Sequence, residues 1–205
     1  MTTEQRTFMQ VARAFLDREV IPRRMEWDRR ESVDRGVIAA LGELGFFGIT
    51  FPQEYGGSGG DNVMYAIAME ELGRADSSVR GIVSVSSGLA GKIILAFGTH
   101  EQKQQWLPGI CAGTTLACFG LTEPDYGSDP GSLATTAVRD GSDYLLTGQK
   151  MFITNASWSQ VCVVFARTGG PGPKGISAFL VPLDAPGVRT REIHGKLGLR
   201  GQVTS

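Results

Sequence analysis

The spacing of apolar residues changes near residue 115, and this change constrains the fold more than any other feature of the sequence. Before it, apolar side chains recur at helical spacing, as they do over residues 8–20. After it, short segments rich in β-branched and aromatic residues are separated by turns that contain Gly and Pro. Helices followed by strands without alternation indicate an α+β fold. We therefore predict an N-terminal all-α bundle over residues 1–114, followed by an antiparallel β-barrel-like domain over residues 115–205.

The first half carries recognisable helix starts and stops. Thr2 with Gln5, and Thr99 with Gln102, have the spacing of a capping box, and Asp61 suits an N-cap. The predicted helices cover residues 2–20, 33–44, 61–73, 77–97 and a stretch that begins at 99. A stripe of small residues marks the fourth of these helices: Gly81, Ser84, Gly88 and Gly91. Such a stripe predicts tight packing, with room for a second helix to approach closely.

The second half divides into seven predicted strands. They are "TTLACFGLT", "ATTAVRD", "DYLLTG", "KMFIT", "VCVVFAR", "ISAFLVPL" and "GVRTREI". Strands joined by short turns are typical of an antiparallel meander or barrel.

Composition excludes several classes of function. A net charge of −1 leaves no whole-chain footprint for nucleic acid or an anionic membrane. No run approaches the roughly 18 apolar residues of a membrane span, and the N-terminus lacks the pattern of a secretory signal. Three cysteines and two histidines supply no metal-ligand cluster. We expect reduced thiols, no metal, no membrane span and a cytoplasmic location.

The loop "GLTEPDYGSDPGS", residues 120–132, is longer and more polar than a simple connection requires. Two prolines stiffen it, and Gly127 lets backbone approach a ligand closely. Ser128 offers a hydroxyl and an N–H to a phosphate oxygen, and the Thr122 hydroxyl could meet the edge of a heterocycle. Residue chemistry alone leaves two interpretations open: a ligand-binding loop, or a rigid crossover loop without a ligand.

Two longer stretches resemble the acyl-CoA dehydrogenase family: "FGLTEPDYGSDPGSLATTA" and "YLLTGQKMFITNAS". The resemblance extends over nearly the whole chain, through "FPQEYGGSGGD", "FGTHEQKQQWLPGICAGT" and "KLGLRGQVTS". It implies FAD as cofactor and an acyl thioester, of CoA or a carrier protein, as substrate.

The resemblance also implies roles for individual residues. In the loop it places around the flavin Phe119, Gly120, Leu121, Thr122, Glu123, Pro124, Asp125, Tyr126, Gly127 and Ser128, and in the second segment Phe152, Ile153 and Thr154. Thr122 would bond to the isoalloxazine, and Ser128 would serve the pyrophosphate and the pantetheine arm of the substrate. Phe152 would cover one flavin face, and the Thr154 hydroxyl would lie near N5. Tyr126 and Phe152 depart from the family's commonest residues, a small residue and tryptophan.

The reaction implied is dehydrogenation of a saturated acyl-CoA to its trans-2-enoyl form, with electrons passed to an electron-transfer flavoprotein. A full-length protein of this family is expected to be a homotetramer or homodimer. The resemblance implies that the base is a glutamate in a C-terminal helical domain that follows the β domain. We therefore expect residues 115–205 to be an incomplete β domain, with no catalytic base within these residues and an inactive fragment. The glutamates present are interpreted as solvated or capping charges: Glu43, Glu54, Glu70, Glu71, Glu101 and Glu123. Two alternatives remain: an acyl-CoA oxidase or related flavin monooxygenase that uses O2, and a non-catalytic truncated chain.

Overall fold

The computed structural model describes all 205 residues, and its first half is helical. Its α-helices are α1 (Thr3–Glu19), α2 (Arg24–Arg30), α3 (Arg35–Glu43), α4 (Asn62–Ala75), α5 (Ser77–Val83), α6 (Lys92–Phe97) and α7 (His100–Cys111). Both predicted capping boxes are present, at Thr2 with Gln5 and at Thr99 with Gln102. The Asp61 side chain caps α4 as predicted by accepting from the N–H of Met64.

Helix α2 is absent from the prediction. Its sequence, RMEWDRR, places only one buried side chain in two turns, so no apolar period is visible. That side chain is Trp27, whose indole N–H donates to Asp34 at 3.0 Å. A tertiary contact, rather than an amphipathic stripe, holds this helix in place.

The segment from Ser77 to Phe97 is one long helix, interrupted by a π-helical stretch over Ser84–Gly91. Its small residues make room for side chains of neighbouring segments, among them helix α4. A Cβ at Gly88 would lie 2.1 Å from the Tyr65 hydroxyl, and one at Gly81 would lie 1.9 Å from the Gln202 amide oxygen. By length and composition alone this helix is able to cross a membrane, although half of its most apolar window is buried in the fold. The absence of a membrane span therefore stays a prediction.

The second half forms one five-stranded sheet, with β1 (Ala117–Gly120), β2 (Thr136–Asp140), β3 (Asp143–Thr147), β4 (Val161–Arg167) and β5 (Ile176–Pro182). The α+β class is confirmed, but the sheet is mixed and open, which corrects the antiparallel barrel-like prediction. Strand β4 pairs in parallel with β1 and antiparallel with β5. The long connection between β1 and β4 crosses over through the β2–β3 hairpin, and local strand patterns cannot reveal such a crossover.

Two predicted strands are not strands. In "KMFIT", Phe152 has a φ of 61°, and Asn155 just after it has a φ of 70°. These left-handed residues bend the chain, so only an isolated bridge remains, from Thr154 to Thr204. The segment "GVRTREI" has no ladder partner.

The C-terminal residues join the two halves. Val203 lies in the main hydrophobic core of the helices, together with Trp158 and Leu116 from the second half. The N–H of Val33 donates to the carbonyl of Gly201, and the N–H of Asn155 donates to that of Val203. Helices and sheet are therefore bound together along residues 201–205.

Candidate functional site

Two segments that the sequence singled out lie side by side where β1 ends. The N–H of Met151 donates to the carbonyl of Thr122 at 2.9 Å. The Lys150 ammonium donates to the carbonyl of Leu121 at 3.2 Å. The loop after β1 and the segment 150–155 thus form one surface.

Glu123 is buried beneath this surface, and its hydrogen bonds hold the two segments together. The residue is 5% exposed, and its carboxylate accepts from the N–H groups of Ala134 and Thr135, at 2.6 and 3.0 Å, and from Lys150 at 2.7 Å. Burial alone would raise the pKa of this carboxyl, but the bonds from Lys150 and the two N–H groups outweigh it and lower the pKa to about 2. The interpretation of Glu123 as a solvated or capping charge is wrong. Its side chain is buried and fastens the loop to Lys150.

The interpretation of Glu71 as a solvated or capping charge is also wrong. It is buried on α4 and forms ion pairs with Arg13 of α1 and with Arg74. The hydrogen bond from Arg13 is the largest cause of its lowered pKa. Glu71 lies in the contact between α1 and α4, among the helices, and it serves their packing.

The outer part of the loop is open. Glu123 and Tyr126 exchange backbone hydrogen bonds at 3.1 and 3.2 Å, which closes a tight turn. Beyond that turn Gly127 and Ser128 are exposed, and a Cβ at Gly127 would meet nothing within 4 Å. A ligand can approach the Gly127 backbone freely and find the Ser128 hydroxyl beside it. Phe119, by contrast, packs inward against Phe165, with ring centroids 5.1 Å apart.

The second segment exposes an aromatic ring by bending its backbone. Phe152 is 60% exposed and left-handed, a conformation that is uncommon outside glycine and costs free energy. Its neighbour Ile153 points inward, into a small core with Cys118 and Cys162. Asn155 is buried and donates from its side chain to the carbonyl of Ile82 at 2.9 Å. These inward contacts hold the Phe152 ring out of the core.

Thr154, between Ile153 and Asn155, has a hydrogen-bond partner that sequence analysis missed. The Gln202 amide donates from Nε2 to Thr154 Oγ1 at 3.1 Å. Gln202 lies within the quoted "KLGLRGQVTS" segment, but no local pattern distinguishes it from a surface glutamine. A separation of 48 residues between the two partners hides the contact from sequence.

The surface therefore combines the exposed Phe152 ring, the exposed Ser128, two half-buried threonines, Thr122 and Thr154, and an unobstructed glycine. An apolar face bordered by donors suits a flat heterocycle with polar edges, and a serine after an open glycine suits a phosphate. The residues present fit a flavin nucleotide. The roles of the individual residues toward such a ligand stay predictions.

Comparison with known proteins identifies the family of this chain. Residues 2–114 match the profile of the acyl-CoA dehydrogenase N-terminal domain, and residues 118–205 match that of the middle domain. The chain is 42% identical over 197 residues to a bovine mitochondrial short-chain specific acyl-CoA dehydrogenase, covering 96% of this chain and 48% of the relative. It is 38% identical over 206 residues to an acyl-CoA dehydrogenase of Bacillus subtilis, covering 100% of this chain and 54% of the relative.

Among solved structures, a glutaryl-CoA dehydrogenase from Mycobacterium smegmatis in complex with FADH2 superposes with a TM-score of 0.94 at 40% identity. That match covers 100% of this chain and 52% of the other. The chain thus spans about half the length of the curated relatives it matches. With both domain profiles matched across nearly all of its residues, the chain belongs to the acyl-CoA dehydrogenase family.

Proposed function

We propose that these residues form the helical and sheet domains of a flavoenzyme that binds FAD and dehydrogenates a saturated acyl thioester to its trans-2-enoyl form. The observation that carries this proposal is the pairing of the loop after β1 with segment 150–155. Phe152 and the Gly127–Ser128 turn are exposed in these two segments, and Thr154 beside Phe152 is half-buried. Family membership and the fit of this donor set to a flavin nucleotide support it.

Bound FAD supplies the acceptor for a hydride from the substrate. Phe152 covers the apolar face of the ring system and excludes water from it. Thr154 and Thr122 donate hydrogen bonds to its polar edge, and Ser128 serves the pyrophosphate and the pantetheine arm of the thioester. Donors aimed at a site where negative charge develops stabilise the transition state more than the ground state.

The base that removes the Cα proton lies outside these residues in this proposal. Glu123 is the only glutamate in the two segments, and a pKa of about 2 makes its carboxylate a poor base. Glu71 is held by arginines among the helices. We expect the 205-residue chain alone, mixed with excess FAD and an acyl-CoA, to reduce no dye. Thioester-dependent dye reduction by this chain would contradict that assignment.

For the whole protein we propose a homotetramer or homodimer in the cytoplasm, with an electron-transfer flavoprotein as electron acceptor. Because Phe152 and Ser128 are exposed, another domain or subunit could pack over the Phe152 ring and the Gly127–Ser128 turn. Anaerobically reduced protein should pass electrons to an electron-transfer flavoprotein much faster than to O2. Rapid reoxidation by O2 would instead favour an acyl-CoA oxidase.

The substitution Thr154→Val, in the protein encoded by the complete reading frame, tests the proposed function. It removes one donor near the reacting atoms and keeps the side-chain volume. We expect flavin reduction in stopped flow to slow by about 100-fold, while the thioester dissociation constant changes little. Thr114→Val, an exposed threonine on the turn after α7, is the matched control. A weaker thioester affinity at an unchanged reduction rate would refute the role of Thr154.

A further inference from the structure

Gln202 is buried at the junction of helices and sheet, and the proposed function gives it no role. Its side chain is 7% exposed, and its Nε2 donates to Thr154 Oγ1 at 3.1 Å. Few glutamines are so buried, because an amide carries donors and an acceptor that all require partners. The contact therefore needs an explanation beyond packing.

The backbone on both sides of Gln202 is fixed. The carbonyl of Gly201 accepts from the N–H of Val33 at 2.9 Å, and the carbonyl of Val203 accepts from the N–H of Asn155 at 3.0 Å. One bond reaches the helical half, and the other reaches the residue after Thr154. Gln202 is thus held in register with Thr154 before any ligand arrives.

The room for this side chain comes from a glycine on α5. A Cβ at Gly81 would lie 1.9 Å from Gln202 Oε1, so the amide fits only because Gly81 has no side chain. That Oε1 has no hydrogen-bond partner, although it is buried. An unpaired buried acceptor costs free energy that an apolar residue of the same size would avoid. The hydrogen bond from Nε2 to Thr154 is therefore the contact that explains a glutamine at this position.

The hydrogen bond from Gln202 limits which further hydrogen bonds the Thr154 hydroxyl can make. A hydroxyl has one hydrogen to donate and two lone pairs that accept. Because an N–H occupies one lone pair, the hydroxyl hydrogen cannot point at Gln202, and no other protein group accepts it. We propose that Gln202 is a positioning residue that holds the Thr154 hydroxyl as a hydrogen-bond donor toward the flavin. This inference rests on the proposed function.

Two substitutions in the complete protein separate positioning from packing. Gln202→Glu has nearly the same shape but replaces the donor by a carboxylate, which accepts from Thr154 and turns its hydrogen away from the flavin. Gln202→Met keeps the volume and removes the donor without reversing it. Gln160→Met is the matched control, since Gln160 is exposed and its amide bonds only to the backbone of Leu116 and Trp158.

Four quantities are measured for each variant: the melting temperature, the FAD dissociation constant, the visible spectrum of bound FAD, and its rate of reduction by an acyl-CoA. In Gln202→Glu we expect shifted flavin absorption bands before any thioester is added, and reduction slowed by about 10- to 100-fold. The thioester dissociation constant should stay within about twofold of the unsubstituted value. The flavin spectrum and reduction rate of Gln202→Met should lie between those of Gln202→Glu and of the unsubstituted protein. Those of Gln160→Met should match the unsubstituted protein.

Wild-type spectra and reduction rates in both Gln202 variants, with FAD bound, would overturn the inference and leave the proposed function standing. Loss of melting temperature and FAD affinity to the same degree in both Gln202 variants, with reduction of the remaining holoenzyme unchanged, would also overturn it. Failure of the unsubstituted protein to bind FAD, or to be reduced by any acyl thioester, would refute the proposed function itself.

Discussion

Replacing Lys150 by Met should destabilise the fold markedly, because it leaves the buried Glu123 carboxylate without its ammonium partner. The side chains of Lys150 and Glu123 are 12% and 4% exposed, and their ion pair measures 2.7 Å. Methionine preserves most of the stem that packs beneath the loop but removes the ammonium. Glu123 keeps only its two backbone N–H partners, from Ala134 and Thr135.

The magnitude follows from the pKa of the Glu123 carboxyl, which falls from 4.5 to about 2 in the folded chain. At 1.36 kcal/mol per pKa unit, the ionised carboxylate contributes about 3 kcal/mol to stability, net of the cost of its burial. Breaking a buried pair by removing one member costs about 3–5 kcal/mol. Because two partners remain in Lys150→Met, we expect the lower figure, about 3 kcal/mol.

The effect has a defined pH dependence. A folded-state pKa below the unfolded one stabilises the fold fully above pH 4.5, and this stability is lost as the pH falls through about 2. The variant lacks most of that contribution. The difference in unfolding free energy between the two proteins should therefore be largest near neutral pH and shrink on acidification from about 4.5 toward 2.

Urea denaturation of the 205-residue chain, followed by circular dichroism across this pH range, measures both quantities. Lys174→Met is the control, since Lys174 is exposed and makes no ion pair. It should change the unfolding free energy by no more than about 0.5 kcal/mol. A Lys150→Met value equally small at neutral pH, or a difference that grows on acidification, would refute the reasoning.

Two further predictions concern the helical half. On α3, a Cβ at Gly42 would lie 2.3 Å from the backbone carbonyl oxygen of Ala112, so Gly42→Ala should destabilise by about 1–3 kcal/mol. In Gly36→Ala, on the same helix, the added Cβ meets nothing within 4 Å, and the substitution should stabilise by up to about 1 kcal/mol. Shifts of the melting temperature in the same direction for both variants would contradict the packing argument. Glu71→Gln should lower stability by about 1–3 kcal/mol, because a neutral amide leaves its two buried arginine contacts poorly matched. An unchanged thermal midpoint would show that this network contributes nothing.

Helix ends were readable from sequence because their signals are local. The capping residues at Thr2, Asp61 and Thr99 bond to groups three residues away, so the pattern and its partner appear together. The same holds for the β2–β3 hairpin, whose Asp140 and Asp143 pair across a two-residue turn.

The site was only partly readable, because its decisive contacts join distant segments. Glu123 resembles any loop carboxylate until Lys150, 27 residues away, meets it below the surface. The positive φ of Phe152 reverses the strand prediction for its segment, and it depends on neighbours that turn inward. The contact between Gln202 and Thr154 forms because residues 201–205 run beside segment 150–155, and no spacing rule in the sequence predicts it.

Anaerobic mixing of the complete protein with saturated acyl-CoAs is the most direct measurement of the central claim. The protein should carry FAD, lose its visible flavin absorbance on mixing, and release the trans-2-enoyl-CoA, identified by mass, in amounts equal to the flavin reduced. A protein that binds no flavin, or a bound flavin that no saturated acyl thioester reduces, would contradict the account.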